Sequence, residues 1–151
     1  MRCEIAVDID SCPDHVWAVI TDLNRWPRWT TAVREAALLG GGTLALHGVV
    51  RLRAPRLPER TWRVAEFQGR RHRFTLRHEG VGGHADVRFA LVATGVSRSR
   101  LVVTHDRSGW LGSPMARITA RTVEANLQLL AGDLKEHCES RRRSGVVAPT
   151  G

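Results

Sequence analysis

The feature that most constrains this chain is a single long amphipathic segment near its C-terminus. Gly112-Ser113-Pro114 reads as a helix start, with Ser113 as cap and Pro114 in the first position, and the periodicity continues to about Ser140. At about 1.5 Å per residue that predicts a helix of roughly 40 Å. Val123, Leu127, Leu130 and Leu134 form its apolar stripe, while Arg117, Arg121, Glu124, Gln128 and Lys135 face away. Such a stripe must be buried against something of similar extent. The preceding chain offers short strands and glycine turns, so the partner is a sheet face.

The strands are read from alternation. Cys3–Ile9 puts Ile5, Val7 and Ile9 on one face. Ser11 is expected to cap a short helix that starts at Pro13, carries Asp14 near its positive end and buries Val16, Trp17 and Ile20. A second short helix spans about Asp22–Trp26 and is expected to stop at Trp26-Pro27. Six further strands follow: Ala32–Leu39, Leu44–Leu52, Thr61–Phe67, Arg71–His78, Ala85–Leu91 and Leu101–Arg107, separated by turns such as Gly40-Gly41-Gly42. Closely spaced hairpins of this kind make an antiparallel sheet. With no repeats and no second core, residues 1–141 form one α+β domain, and the Ser/Gly/Pro-containing residues 142–151 read as a disordered tail.

At 151 residues the chain suffices for one ordinary core. The net charge of +8 invites a nucleic-acid partner. However, Lys135 is the only lysine, and the arginines are scattered from Arg2 to Arg143 rather than gathered on one element, which argues against a specific interface. Cys3, Cys12 and Cys138 form no C-x-x-C pair and suggest free thiols in a reducing compartment. No apolar run is long enough to cross a bilayer and no signal-peptide core is seen, so no membrane insertion and a cytoplasmic location are expected.

The order of these elements resembles the START-like (SRPBCC) superfamily, in its polyketide cyclase/dehydrase branch. The resemblance rests on the Val16-Trp17 helix after Pro13-Asp14, on Asp22…Trp26-Pro27-x-Trp29, on Thr61-Trp62-Arg63-Val64, on Arg100–His105 and on the Gly112-Ser113-Pro114 entry. It covers Cys3 to Arg141. It implies a helix-grip fold, in which a curved antiparallel sheet of about seven strands wraps the C-terminal helix and encloses a cavity. Members include ligand carriers, hormone receptors, aromatic-polyketide cyclases, ubiquinone-binding proteins and co-chaperone domains, so the fold does not settle the function. Cyclases of this fold often line their pockets with tyrosine and arginine, and this chain has no tyrosine.

Chemistry in such a cavity needs polar groups on core-facing positions. Alternation places His105 with Leu101 and Val103, and His72 with Phe74 and Leu76, so each imidazole is a candidate general acid/base. Thr119 and Asn126 lie on or beside the helix stripe, where Asn126 can hold a ligand carbonyl or tie helix to sheet. Trp29, Trp62, Phe74 and Phe89 are candidate apolar walls. His105 and Asp106 point to opposite faces and form no dyad. His78, Glu79 and His84 match no metal motif, and no phosphate loop or nucleophile elbow appears. No metal or cofactor is expected. The reading is a binder of a small hydrophobic molecule (lipid, polyketide or quinone-like), with a cyclase or dehydratase using the histidines as the alternative.

Overall fold

The computed structural model describes residues 2–80, 83–109 and 114–147. Seven strands form one antiparallel sheet in the order β1-β7-β6-β5-β4-β3-β2. They are β1 Arg2–Ile9, β2 Glu35–Leu38, β3 Val49–Arg53, β4 Arg60–Gln68, β5 Arg73–Gly80, β6 Gly83–Gly95 and β7 Arg98–Ser108. The helices are α1 Pro13–Thr21, α2 Trp26–Trp29 and α3 Pro114–Val147, with a short 3-10 turn at Leu23–Arg25 before α2. Helix α3 supplies Leu127, Leu130, Ala131, Leu134 and Cys138 to the core, with Val123 packed against it. The predicted stripe is therefore the face that meets the sheet.

Several local expectations are corrected. Ser11 does not cap α1: Cys12 holds that position without a side-chain bond, while the Ser11 carbonyl accepts the Ser99 hydroxyl at 2.7 Å. Pro27 does not stop a helix but sits in the first turn of α2, where its missing N–H costs nothing. Leu44 and Leu46 lie outside β3, because His47 turns the chain with φ of 70° and pairs with Val64 of β4 instead. Helix α3 extends past Ser140 to Val147. The proposed Ser113 cap lies outside the described residues. Glu124 does not simply face solvent: it is half-buried and hydrogen-bonds the Cys3 thiol of β1.

Register decides what faces the helix, because directly paired residues share a face. One row across the sheet reads Phe67–Phe74–Phe89–Val103–Ile5. The next reads Val64–Leu76–Val87–His105–Cys3. Beyond it come His78–Ala85–Arg107, with Trp62 against His78 at 5.5 Å. The inner face thus grades from aromatic through aliphatic to polar. On the outer face Arg51, Arg53, Arg63, Arg77, Arg88 and Arg100 all pair with carboxylates. The tightest are Arg77–Asp86 and Arg100–Asp8, both at 2.8 Å.

Candidate functional site

The aromatic end of the inner face is filled. Phe74 and Phe89 stack at 4.7 Å, Trp17 packs edge-on against Phe74 at 5.8 Å, and Trp26 packs on Phe89 at 5.8 Å. The Trp26 indole N–H donates to the Ile20 carbonyl at 3.1 Å, which lets a large polar-edged ring be fully buried.

Towards the polar end, the sheet and α3 separate to leave a cavity of about 100 Å³. Its sheet wall is Leu52, Trp62, Leu76, Val87 and Phe89, its helix wall Val123, Leu127 and Leu130, and Trp26 closes the inner side. Two polar side chains interrupt this lining, Arg60 and Asn126. The Asn126 Nδ2 is shielded from solvent and finds no hydrogen-bond partner. A buried amide donor left so costs about 1–3 kcal/mol. Arg60 makes no ion pair among the described residues, and burial lowers its guanidinium pKa. Burial also lowers that of Arg107, with the charge of Arg60 adding to the effect.

His105 lies one step across the sheet from Val87, buried at 4% exposure. Desolvation, reinforced by Arg107 and Arg60 and opposed by Asp106, pushes its pKa from 6.5 to about 4. The ring is therefore neutral at neutral pH, and so low a pKa makes it a weak base. Its row partner Cys3 has its thiol pKa raised by burial and by the Glu124 carboxylate.

The expected site residues divide accordingly. Trp62, Phe89 and Asn126 meet on the cavity wall. Phe74 is buried behind Phe89 and does not line it. Thr119 lies on α3 away from the wall, and Trp29 stacks on His137 at 6.0 Å while Trp26 takes the lining position. His72 is outside the site. It precedes β5 in a left-handed conformation (φ of 54°), at the far end of the sheet from the cavity lining. Its ring lies on Trp17 at 5.1 Å, with Nε2 3.4 Å from Asp14. Arg60 was legible: it shares strand parity with Trp62 and Val64. Nothing in the sequence distinguishes Trp26 from Trp29.

Among the described residues no three of His, Cys, Asp or Glu gather as a metal set, and no helix is long and apolar enough to cross a membrane.

A seven-stranded sheet closed by a long C-terminal helix, with an apolar cavity between them, is the architecture of START-like proteins. The chain belongs to the polyketide cyclase/dehydrase and lipid transport family, whose sequence model matches residues 2–139. Its fold is similar to that of the Zhui aromatase/cyclase from Streptomyces sp. R1128, with a TM-score of 0.77, 19% identity, and coverage of 100% of this chain and 98% of that one. A START superfamily protein from Mycobacterium smegmatis gives 0.73 at 15% identity, covering 92% and 97%. A norcoclaurine synthase from Thalictrum flavum gives 0.73 at 11%, covering 94% and 96%. No curated protein matches the sequence.

Proposed function

We propose that this protein binds a small hydrophobic molecule bearing one acceptor oxygen in the cavity between sheet and α3, as a carrier or sensor. The observation that carries this is the buried, unpartnered Nδ2 of Asn126 in a mostly apolar wall that also carries Arg60. A carbonyl or enol oxygen placed there would satisfy the amide, and Arg60 adds a positive potential that favours partial negative charge on that oxygen. The apolar walls supply the affinity and the amide supplies the orientation. The test is calorimetric titration with benzaldehyde and with toluene, its counterpart lacking the carbonyl. Benzaldehyde is expected to bind about tenfold more tightly, and Asn126→Leu to erase the difference. If neither compound binds at about millimolar concentration, the cavity is no ligand site and the reading fails.

A second reading is a cyclase or dehydratase. It is supported by the likeness to an aromatase/cyclase and by the neutral His105 near Arg60, a weakly basic imidazole beside a cation that favours an enolate. The carrier reading is preferred because His105 lies off the cavity wall and His72 lies outside it. A reactive poly-β-ketone thioester cyclised by the protein, with the rate collapsing in His105→Gln while binding survives, would reverse that preference.

A further inference from the structure

Val33 and Asn126 line both the cavity and a second, outer depression of about 800 Å³ between α2, the β3–β4 loop and α3, so only these two side chains stand between the two spaces. The two volumes differ in kind. The inner one, at about 100 Å³, is smaller than the roughly 150 Å³ cavity that accepts benzene, so it takes at most one benzene-sized group. Any longer molecule that enters it must leave its other end in the outer depression.

That outer depression carries three arginines, Arg34, Arg56 and Arg121, and no acidic residue lines it. None of the three pairs with a carboxylate among the described residues, in contrast to the six arginines paired on the outer face of the sheet. The nearby Asp133 carboxylate accepts the hydroxyl of the lining residue Thr30 at 2.7 Å and pairs with none of the three. Two of the arginines sit at fixed points of the backbone. The Arg34 N–H donates to the Arg53 carbonyl at 2.7 Å, and Arg56 is held between Pro55 and Leu57 with φ of 65°. Such a φ disfavours any side chain other than glycine, yet an arginine stands there.

We propose that Arg34, Arg56 and Arg121 form an anion site at the cavity mouth, which takes the phosphate end of an elongated amphiphile whose apolar end fills the inner cavity. This rests on the cavity reading above and extends it to the ligand's other end. Arginine is suited to the task because its guanidinium offers paired donors to phosphate oxygens. Placing three of them on one rim leaves a net positive potential that the Asp133 carboxylate behind Thr30 offsets only in part.

The probes are 4-phenylbutyl phosphate and 4-phenylbutanol, titrated calorimetrically into the full chain at about 0.02 M and about 0.3 M salt. The phosphate is expected to bind at least about tenfold more tightly at low salt, with the margin shrinking as salt rises. In the triple variant Arg34→Gln, Arg56→Gly, Arg121→Gln the margin should vanish while affinity for the alcohol stays. Arg56→Gly suits the local backbone, and an unchanged thermal midpoint checks folding. A methyl phosphodiester of the same alcohol separates the two sources of phosphate: retained preference supports the site as a taker of tethered diesters, lost preference as a taker of free monoesters. The proposal is overturned if the wild type shows no preference, or if the triple variant keeps it. A preference lost only in Arg60→Gln also overturns it and moves the anion inside. If the alcohol binds and the phosphate gains nothing, the cavity reading survives and the mouth site falls. If neither binds, both fall.

Discussion

The two ends of the inner face are built by the same four strands, β4 to β7, and differ in what their rows carry. At the aromatic end Phe67, Phe74 and Phe89 interlock with Trp17 and Trp26 at centroid distances from 4.7 to 5.9 Å. At the other end Trp62, His78 and Arg107 stand in the corresponding places, and a cavity lies against α3. Rings from sheet and helix fill the first region from both sides. In the second, α3 offers only Val123, Leu127 and Leu130, which are too short to reach across, together with an amide that has nothing to bind. The first region is built to hold the fold, and the second is left unfinished by the protein itself.

That contrast can be broken most directly by truncating the filled end. Phe74→Ala should cost about 3–5 kcal/mol in urea unfolding, because 0% of this ring is exposed and its neighbours are themselves locked. A cost near 1 kcal/mol would mean the aromatic end is as loose as the other.

Acid should act at the opposite end. The His105 pKa is depressed to about 4, so between that value and its unfolded value near 6.5 the unfolded chain binds the extra proton. Stability is therefore full above the upper limit and falls as pH drops, by roughly 3 kcal/mol down to pH about 4. His105→Gln should flatten that part of the pH–stability profile, and an unchanged slope would exclude a buried neutral ring.

Filling the unfinished end should separate stability from binding. Val123→Phe is expected to change stability by less than about 1.5 kcal/mol, since the added ring enters space already present. Ligand affinity should fall by about tenfold or more. Asn126→Leu sharpens the comparison further: losing an orphaned donor should stabilise the fold by up to about 1 kcal/mol while weakening carbonyl ligands. A destabilising result would assign the amide to holding the fold. A similarly small effect belongs to His72→Asn, about 1 kcal/mol from the ring contact with Trp17 and without change in ligand affinity, since asparagine tolerates the same left-handed backbone.

Much of this architecture was legible beforehand. Alternation in β1 and β7 and the stripe of α3 identified their buried faces, because the two periods of 2 and 3.6 residues are local properties of the backbone. His105 was assigned to the inner face on that basis, and Arg60 could have been. His72 meets the same Trp17 ring as Phe74, but the cavity lies further along the sheet, which strand parity alone does not tell. Leu44 and Leu46 fall outside β3 because His47 turns the chain with a positive φ that no side-chain pattern announces. Trp29 is expected in the pocket from the family resemblance, whereas in the structure Trp26 lines the cavity and Trp29 stacks on His137.

By itself, then, the sequence determined the element order, the sheet and its helical lid, and the family to which the chain belongs. Local periodicity and turn chemistry carry that information residue by residue. Only the tertiary structure decided which large side chains are stoppers and which are walls. That depends on whether a ring from α1 or α2 arrives opposite a given row, and such meetings are set by chain segments far apart in sequence. The unpartnered amide of Asn126 belongs to the same class of fact, since having no partner is a property of everything around a residue and not of the residue itself.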